Sequence, residues 1–432
     1  MPDGPAFGTQ NLRVSVEGKE ILPEHSSIVD PRMMRAAFDP IWEQKQRSLI
    51  VTEWDMAPKS SARGSVAATA EGFYIADETA LPIWQTPAGI FSVGASDPER
   101  ELLTVLAPAD FRILAPGKAL KRAKGAAGNM VSQGFRIRPD KDFLPYVIAG
   151  RYQELVIRER EGAVSFWTFR PVDPQAANTA AARLASSMHA LSDYFGPLPN
   201  GKAAVHIVES PGDLPIEFGS LESVPPEGLP APSQAPGAIA DPAYGGNSFP
   251  AGALLDSRAV AQGVADENVL QLAEYELART WFGWRVRPTP EAQILMGRGV
   301  GLFGLVVAAE SRGPDQRRAM IVSLLERYDR ARAVAPDRRL MEPPFGYSRA
   351  ERISTGYRGA LLLVALEDLC GHDALREAFR QIVRSRAGEE AGYEELRAAA
   401  ESASGRDLAE FFRRWLNQPG VPEELRGRYA QL

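Results

Sequence analysis

A chain of 432 residues is long for a single domain, and 44% hydrophobic with 24% charged residues is the composition of a globular protein that buries its own cores. A net charge of −6 and a pI near 5.6 exclude a partner bound through its phosphate backbone, which needs a basic face. The single cysteine, Cys370, excludes an intramolecular disulfide framework.

The opening Met1-Pro2-Asp3-Gly4 lacks the basic-then-apolar order of a signal peptide. From about Leu12 to Thr168, short β-rich runs alternate with Gly, Pro and Asp, as in Gly72-Phe73-Tyr74-Ile75, Leu102-Leu103-Thr104-Val105 and Leu155-Val156-Ile157. This half is expected to form an antiparallel β domain. Ser165 to Phe169 reads as its last strand, because Arg170-Pro171 cannot continue a central ladder. A boundary near Val172 divides the chain into 1–171 and 172–432.

Beyond it the period becomes helical. Ala181, Leu184, Met188, Leu191 and Phe195 recur at spacings of three and four and build one apolar stripe over Ala176 to Phe195. A strand over Ala203 to Val208 follows. The Pro- and Gly-crowded stretch 210–250 is too long for an ordinary connection and is expected to be a functional loop or a flap over a cleft. From Asp266 onward the pattern is almost wholly helical, with Gly283, Gly371 and Gly405 as expected stops. The longest apolar run, Val300 to Ala309, is far shorter than a membrane span, so the expectation is a soluble chain with no membrane insertion. Basic charge after Lys202 is carried by arginine alone, which reflects composition more readily than anion recognition.

The stretch that carries chemistry is Tyr275-Glu276-Leu277-Ala278-Arg279-Thr280-Trp281-Phe282-Gly283. It resembles the helix of the alanyl-aminopeptidase-like gluzincin zinc metallopeptidases, where His-Glu-x-x-His is followed shortly by Trp-Phe-Gly. In that pattern two histidines four apart share a helix face and bind zinc, and the glutamate is general base toward the metal-bound water. Glu276 matches the base, while Tyr275 and Arg279 occupy the histidine positions. The resemblance places a third ligand, a glutamate, after eighteen further residues, and that interval reaches Arg298 in Gly297-Arg298-Gly299-Val300.

Other segments carry the same resemblance. Gly356-Tyr357-Arg358-Gly359-Ala360 is similar to the family's Tyr-x-Lys-Gly-Ala, whose tyrosine stabilises the tetrahedral intermediate. Aligning Arg358-Gly359-Ala360 puts Gly356 at the tyrosine's place and Tyr357 one place late. Gly405-Arg406-Asp407-Leu408 with Trp415-Leu416-Asn417-Gln418-Pro419-Gly420 resembles the closing helix, and Tyr194 to Pro199 the family's Tyr-Phe-Gly-x-x-Pro opening. Gly245-Gly246-Asn247-Ser248-Phe249 stands where the amine-binding Gly-x-Met-Glu-Asn lies, with Ser248 at the glutamate. The N-terminal half resembles the family's saddle-shaped first domain chiefly through Leu103 to Gly117, expected to be a strand pair.

The resemblance implies an α+β fold, an antiparallel saddle-like domain followed by a mainly helical thermolysin-like domain, with the chemistry altered. Arginine keeps its proton and offers no lone pair, so neither Arg279 nor Arg298 ligates zinc. His25, His189, His206 and His372 are scattered without ligand spacing, and Cys370 with His372 does not complete a zinc motif. No zinc or other cofactor is expected. The resulting expectation is a pseudopeptidase acting as a peptide- or protein-binding or structural module, with Glu276 compensating Arg279, Arg298 or both. The alternative is a hydrolase of non-standard mechanism using Glu276 and Tyr357.

Overall fold

In the computed structural model of the chain, the described residues are 101–125, 128–137, 146–198, 204–212, 214, 245–250, 252–334, 336–342 and 347–429, with shorter pieces before them at 9–16, 18–21, 24–25, 34–35, 50–56, 66–75, 84–86 and 89–91. The opening tetrapeptide, Lys202 and most of the Pro/Gly-rich stretch, from 215 to 244, lie outside them.

Every regular element described up to Thr168 is a strand, and the long helices come after it, so the fold is α+β with a β-rich N-terminal part. The expected strands at Gly72, Leu102 and Leu155 are found as Gly72–Ile75, Glu101–Pro108 and Gln153–Arg158. Leu103 to Gly117 does not form a strand pair. Glu101–Pro108 pairs with Met130–Ile137, whereas Arg112–Leu114 pairs with Val147–Gly150 in a different sheet. The turn at Ala109 to Phe111 passes the chain from one sheet to another, a change of partner that strand propensity does not encode.

The change from strand to helix at residue 172 does not coincide with a change of sheet. Ala163–Thr168 pairs antiparallel with Gln153–Arg158 but parallel with Val205–Glu209, which in turn pairs with Gly252–Leu255. Gly246–Phe249 completes this five-stranded sheet at one edge. One face of it, Val164, Phe166, Val205, Ile207, Ala253 and Leu255, belongs to the main helical core, and the other face, with Trp167, Val208, Phe249 and Leu254, packs with Tyr74, Tyr146, Ile148 and Tyr152 of the β-rich part. The sheet thus draws residues 153–168 into the helical half and is the wall the two halves share.

The helices are α1 (Pro174–Phe195), α2 (Ser257–Gln262), α3 (Glu267–Ala278), α4 (Val300–Glu310), α5 (Pro314–Val334), α6 (Arg349–Cys370), α7 (His372–Ser385), α8 (Tyr393–Ser404), α9 (Ala409–Asn417) and α10 (Glu423–Tyr429). Proline at its first turn and the Asp173 cap, which accepts from the Ala176 amide at 2.8 Å, start α1. Gly371 and Gly405 stop α6 and α8 with positive φ, as expected. Gly283 does not stop α3, which ends at Ala278. The Arg279 and Thr280 amides turn back to the Glu276 and Leu277 carbonyls, and Trp281 and Phe282 swing into the core ahead of a tight loop at Gly283.

Helix α4 is apolar all round, and Val300 to Ala309 are all buried, so it forms the centre of the helical core. The stretch Pro290–Glu310 is long and apolar enough to cross a membrane, and 83% of its apolar window is buried inside the fold. Small residues bring its neighbours close. A Cβ added at Gly304 would lie 2.2 Å from the Ala278 Cβ, and one at Gly299 would lie 3.2 Å from the Gly359 Cα. These contacts fix α3, α4 and α6 against one another, and they carry the candidate site.

Candidate functional site at the ends of α3 and α4

Helix α3 is capped by Asp266, which accepts from the Asn268 and Val269 amides. Residues Val269 to Ala278 are all buried, so its polar members must find partners inside the protein. Glu276 has no exposed surface and accepts from Arg279 Nη1 at 2.8 Å through Oε2. Its Oε1 lies toward Gly246 of the sheet edge, where an added Cβ would stand 2.8 Å away. The Arg279 guanidinium also lies 5.6 Å from the centre of the buried Tyr275 ring, a cation–π arrangement. Gly301 makes room for both, since a Cβ there would come within 2.7 Å of Tyr275 and 3.0 Å of Arg279.

Arg298 is half-buried on a π-helical turn, Gln293–Gly299, that leads into α4. The second turn of α6 faces it, with Gly356 placing an added Cβ 3.4 Å from the Arg298 Cβ. The residue of α6 that faces the Arg298 side chain is therefore Gly356. Tyr357, one place later, is 3% exposed and belongs to the main hydrophobic core. Sequence spacing thus brings Tyr275, Glu276 and Arg279 together on one helix end and places Arg298 on the adjoining element.

Tyr275, Arg279 and Arg298 do not fit a zinc ion. Two of the three positions carry a permanent positive charge without a lone pair, and one of those guanidiniums already holds the carboxylate beside it. No catalytic step through a metal is derived for this arrangement. What it provides is a neutralised carboxylate beneath a sheet edge.

Ser248 sits on that edge strand, 1% exposed, and both its hydroxyl and its carbonyl accept from Trp284 Nε1 at 3.1 Å. Trp284 was not singled out by the sequence. Its signal was its place directly after Gly283, whose φ of 145° turns the chain back toward the sheet. The loop is pinned by the Val286 amide on the Trp281 carbonyl at 2.9 Å and the Gly283 amide on the Val286 carbonyl at 2.9 Å.

Three further clusters escaped sequence reasoning because their members come from separate helices. Glu274, fully buried on α3, accepts from Arg183 Nε at 2.9 Å, Ser187 Oγ at 2.6 Å and Arg312 Nη1 at 2.9 Å. Arg358, aligned above with a lysine, is wholly buried and donates to the carbonyls of Arg338, Trp415 and Gln418, tying α6 to the C-terminal end of α9. His372, expected to be isolated, lies with Nδ1 2.9 Å from Glu367 and 3.7 Å from Glu310. These three could hold a metal ion, their ligand atoms lying within 4.8 Å of one another. Arg317 already supplies a cation there, pairing with Glu367 and lying 3.7 Å from Glu310, and Tyr194 donates to Glu367 at 3.1 Å. This buried glutamate raises the His372 pKa above its ordinary value, mainly through their hydrogen bond.

No protein-family profile matches the chain, and neither does any curated protein sequence. Solved structures do. An M1 zinc metallopeptidase from Deinococcus radiodurans superposes with a TM-score of 0.64 at 16% identity, covering 96% of this chain and 86% of that one. A mutant M1 zinc metallopeptidase of that organism, bound to a Tyr-Ser-Ala substrate, gives 0.63 at 16% identity over the same shares. Aminopeptidase A of Legionella pneumophila gives 0.63 at 13% identity, covering 97% of this chain and 45% of that one. The chain therefore has the fold of the M1 zinc metallopeptidases, and at such identities its chemistry must be read from its own residues.

Proposed function

We propose that this protein is a peptidase-fold pseudoenzyme that binds an extended peptide segment and does not hydrolyse it by a metal mechanism. The observation that carries the reading is the ion pair of Glu276 with Arg279 at 2.8 Å. A general base needs a free lone pair directed at the water it deprotonates, whereas this carboxylate holds a guanidinium through one oxygen. Arginines stand at two of the three positions where the resemblance places ligands, so no zinc is held there. Tyr357, the other residue a hydrolytic reading would use, is packed in the core.

Peptide as the ligand class rests on the sheet edge. Among the described residues Gly246–Phe249 is the last strand of its sheet and lies over Glu276, and an unpaired strand edge can recruit an extended chain through main-chain hydrogen bonds. A mutant of the Deinococcus protein of the same fold is described with Tyr-Ser-Ala bound, which makes that tripeptide a suitable first probe. The test is a zinc titration by calorimetry, a panel of aminopeptidase substrates and a binding titration with Tyr-Ser-Ala. Binding of the tripeptide without turnover and without zinc uptake is expected. Turnover that is abolished by a chelator would overturn the reading.

A further inference from the structure

Among the described residues, the five-stranded sheet ends on the side away from Gly246–Phe249 in the strand Gln153–Arg158, which pairs only with Ala163–Thr168. Unlike the strand over Glu276, this one is open. Gln153, Glu154, Val156 and Arg158 are exposed, while Leu155 and Ile157 are half-buried against the helical core. Val156, at the middle of the strand, is a large apolar side chain left 46% exposed.

The hairpin fixes which peptide groups face outward. Glu159 and Gly162 exchange both of their backbone hydrogen bonds, at 2.7 and 3.3 Å, so Glu159 and, by alternation, Ile157, Leu155 and Gln153 turn their peptide groups to the partner strand. Glu154, Val156 and Arg158 turn theirs to the open edge. Their side chains share the face that carries Trp167, because Glu154 stands opposite Trp167 and side chains alternate with period two. An added antiparallel strand must therefore set outward residue against outward residue.

Charges on an edge strand ordinarily guard it against pairing. Here they are of opposite sign and symmetrically placed, Glu154 two residues before Val156 and Arg158 two residues after it. We propose that this edge is the interface of a homodimer, in which a second copy of the chain pairs antiparallel about a two-fold axis through Val156. Val156 then meets Val156 of the partner subunit, Leu155 stands opposite Ile157 of the partner subunit, and Glu154 faces Arg158 of the partner subunit on both sides of the axis. Sliding the copies by two residues would set Val156 against a charge, and sliding by one would set outward peptide groups against inward ones, so the side chains select the symmetric register. Glu154 holds Arg112 through Oε2 at 2.8 Å and Ser165 through Oε1 at 3.1 Å, which leaves acceptor capacity, since an ionised carboxylate offers about four lone-pair sites. Arg158 is exposed and forms no ion pair among the described residues. The interface lies across the sheet from Glu276 and is independent of the peptide-binding reading.

Sedimentation equilibrium of the full chain, over a series reaching about 100 µM, should show a monomer–dimer equilibrium. Arg158→Glu and Glu154→Arg each set like charges opposite one another at two places in the dimer, and each should weaken association by roughly 10- to 50-fold. Mixed in equal amounts, the two variants are complementary at both places, so the mixture should associate more tightly than either variant alone. Val156→Pro removes an outward N–H, which blocks the pairing without costing the monomer an internal hydrogen bond, and should be monomeric with an unchanged circular dichroism spectrum. A parent that stays monomeric throughout the series, a dimer that survives Val156→Pro, or a mixture of the charge variants no tighter than its components overturns the proposal.

Discussion

The ion pair that occupies the helix end should respond unequally to the loss of its two members. Glu276 has no exposed surface, while the Arg279 side chain is 21% exposed. Replacing Arg279 with Met withdraws the guanidinium from a carboxylate that cannot reach water, at a cost of about 3 kcal/mol, the lower end of what breaking a buried pair costs. It also removes a cation from the C-terminal end of α3, which adds a few tenths of a kcal/mol at most. Glu276→Gln keeps the shape and leaves a guanidinium that can turn toward solvent, so about 1–2 kcal/mol is expected. The double variant Glu276→Leu with Arg279→Met exchanges the pair for apolar groups of similar volume and should lie within about 1 kcal/mol of the parent. Urea unfolding followed by circular dichroism at constant m-value measures these proteins together with the single variant Glu276→Leu, which closes the cycle with Arg279→Met, and that cycle should give a coupling of about 2 kcal/mol or more. A Glu276→Gln cost equal to or above that of Arg279→Met, or a double variant as unstable as the sum of the singles, would show that the pair does not carry the local energetics.

Elemental analysis of protein purified without chelator should find no stoichiometric zinc, and about one zinc per chain, removable with loss of structure, would contradict the reading of Tyr275, Arg279 and Arg298. Returning Tyr275 and Arg279 to His and Arg298 to Glu should create zinc binding detectable by calorimetry, because the helix register and the position of the following turn are kept; a folded triple variant without zinc affinity would mean the segments are misaligned. The raised His372 pKa adds stability that is fully present below the unfolded value of about 6.5 and is lost as pH rises through the folded value. The melting temperature of His372→Asn should therefore fall below that of the parent most clearly at acidic pH, and a gap that widened on going alkaline would reverse the sign argument. Arg358→Lys should destabilise by about 3 kcal/mol in urea, since a single ammonium cannot span the carbonyls of Arg338, Trp415 and Gln418, and a cost under about 1 kcal/mol would make the fork dispensable.

What the sequence made legible were features fixed by a local repeat. The helical register joins Tyr275, Glu276 and Arg279 without any knowledge of the rest of the chain, and the period change near Val172 marks where α1 begins. Contacts set by how elements pack were not legible. Trp284 reaches Ser248 across 36 residues, Arg183 reaches Glu274 across 91, and Ala163–Thr168 finds its parallel partner only after α1 has crossed over. The end of α3 was misjudged for a related reason: Gly283 has the positive φ of a helix stop, but burial of Trp281 and Phe282 ended the helix before it.

The glycines connect these observations to function. In a metal site, the ion itself helps hold its ligand-bearing helices together, and substitution of the ligands would be expected to loosen that geometry. Here α3, α4 and α6 are held at contact distance by Gly301, Gly304, Gly299 and Gly359, positions at which a Cβ would meet a neighbouring atom at 3.3 Å or closer. Glu274 adds its three donors from α1 and from the end of α4, independent of any ion. Contact among these helices is thus maintained by close packing and by arginine–carboxylate pairs. That explains how Tyr275, Arg279 and Arg298 can stand where the resemblance expects metal ligands without collapse of the fold.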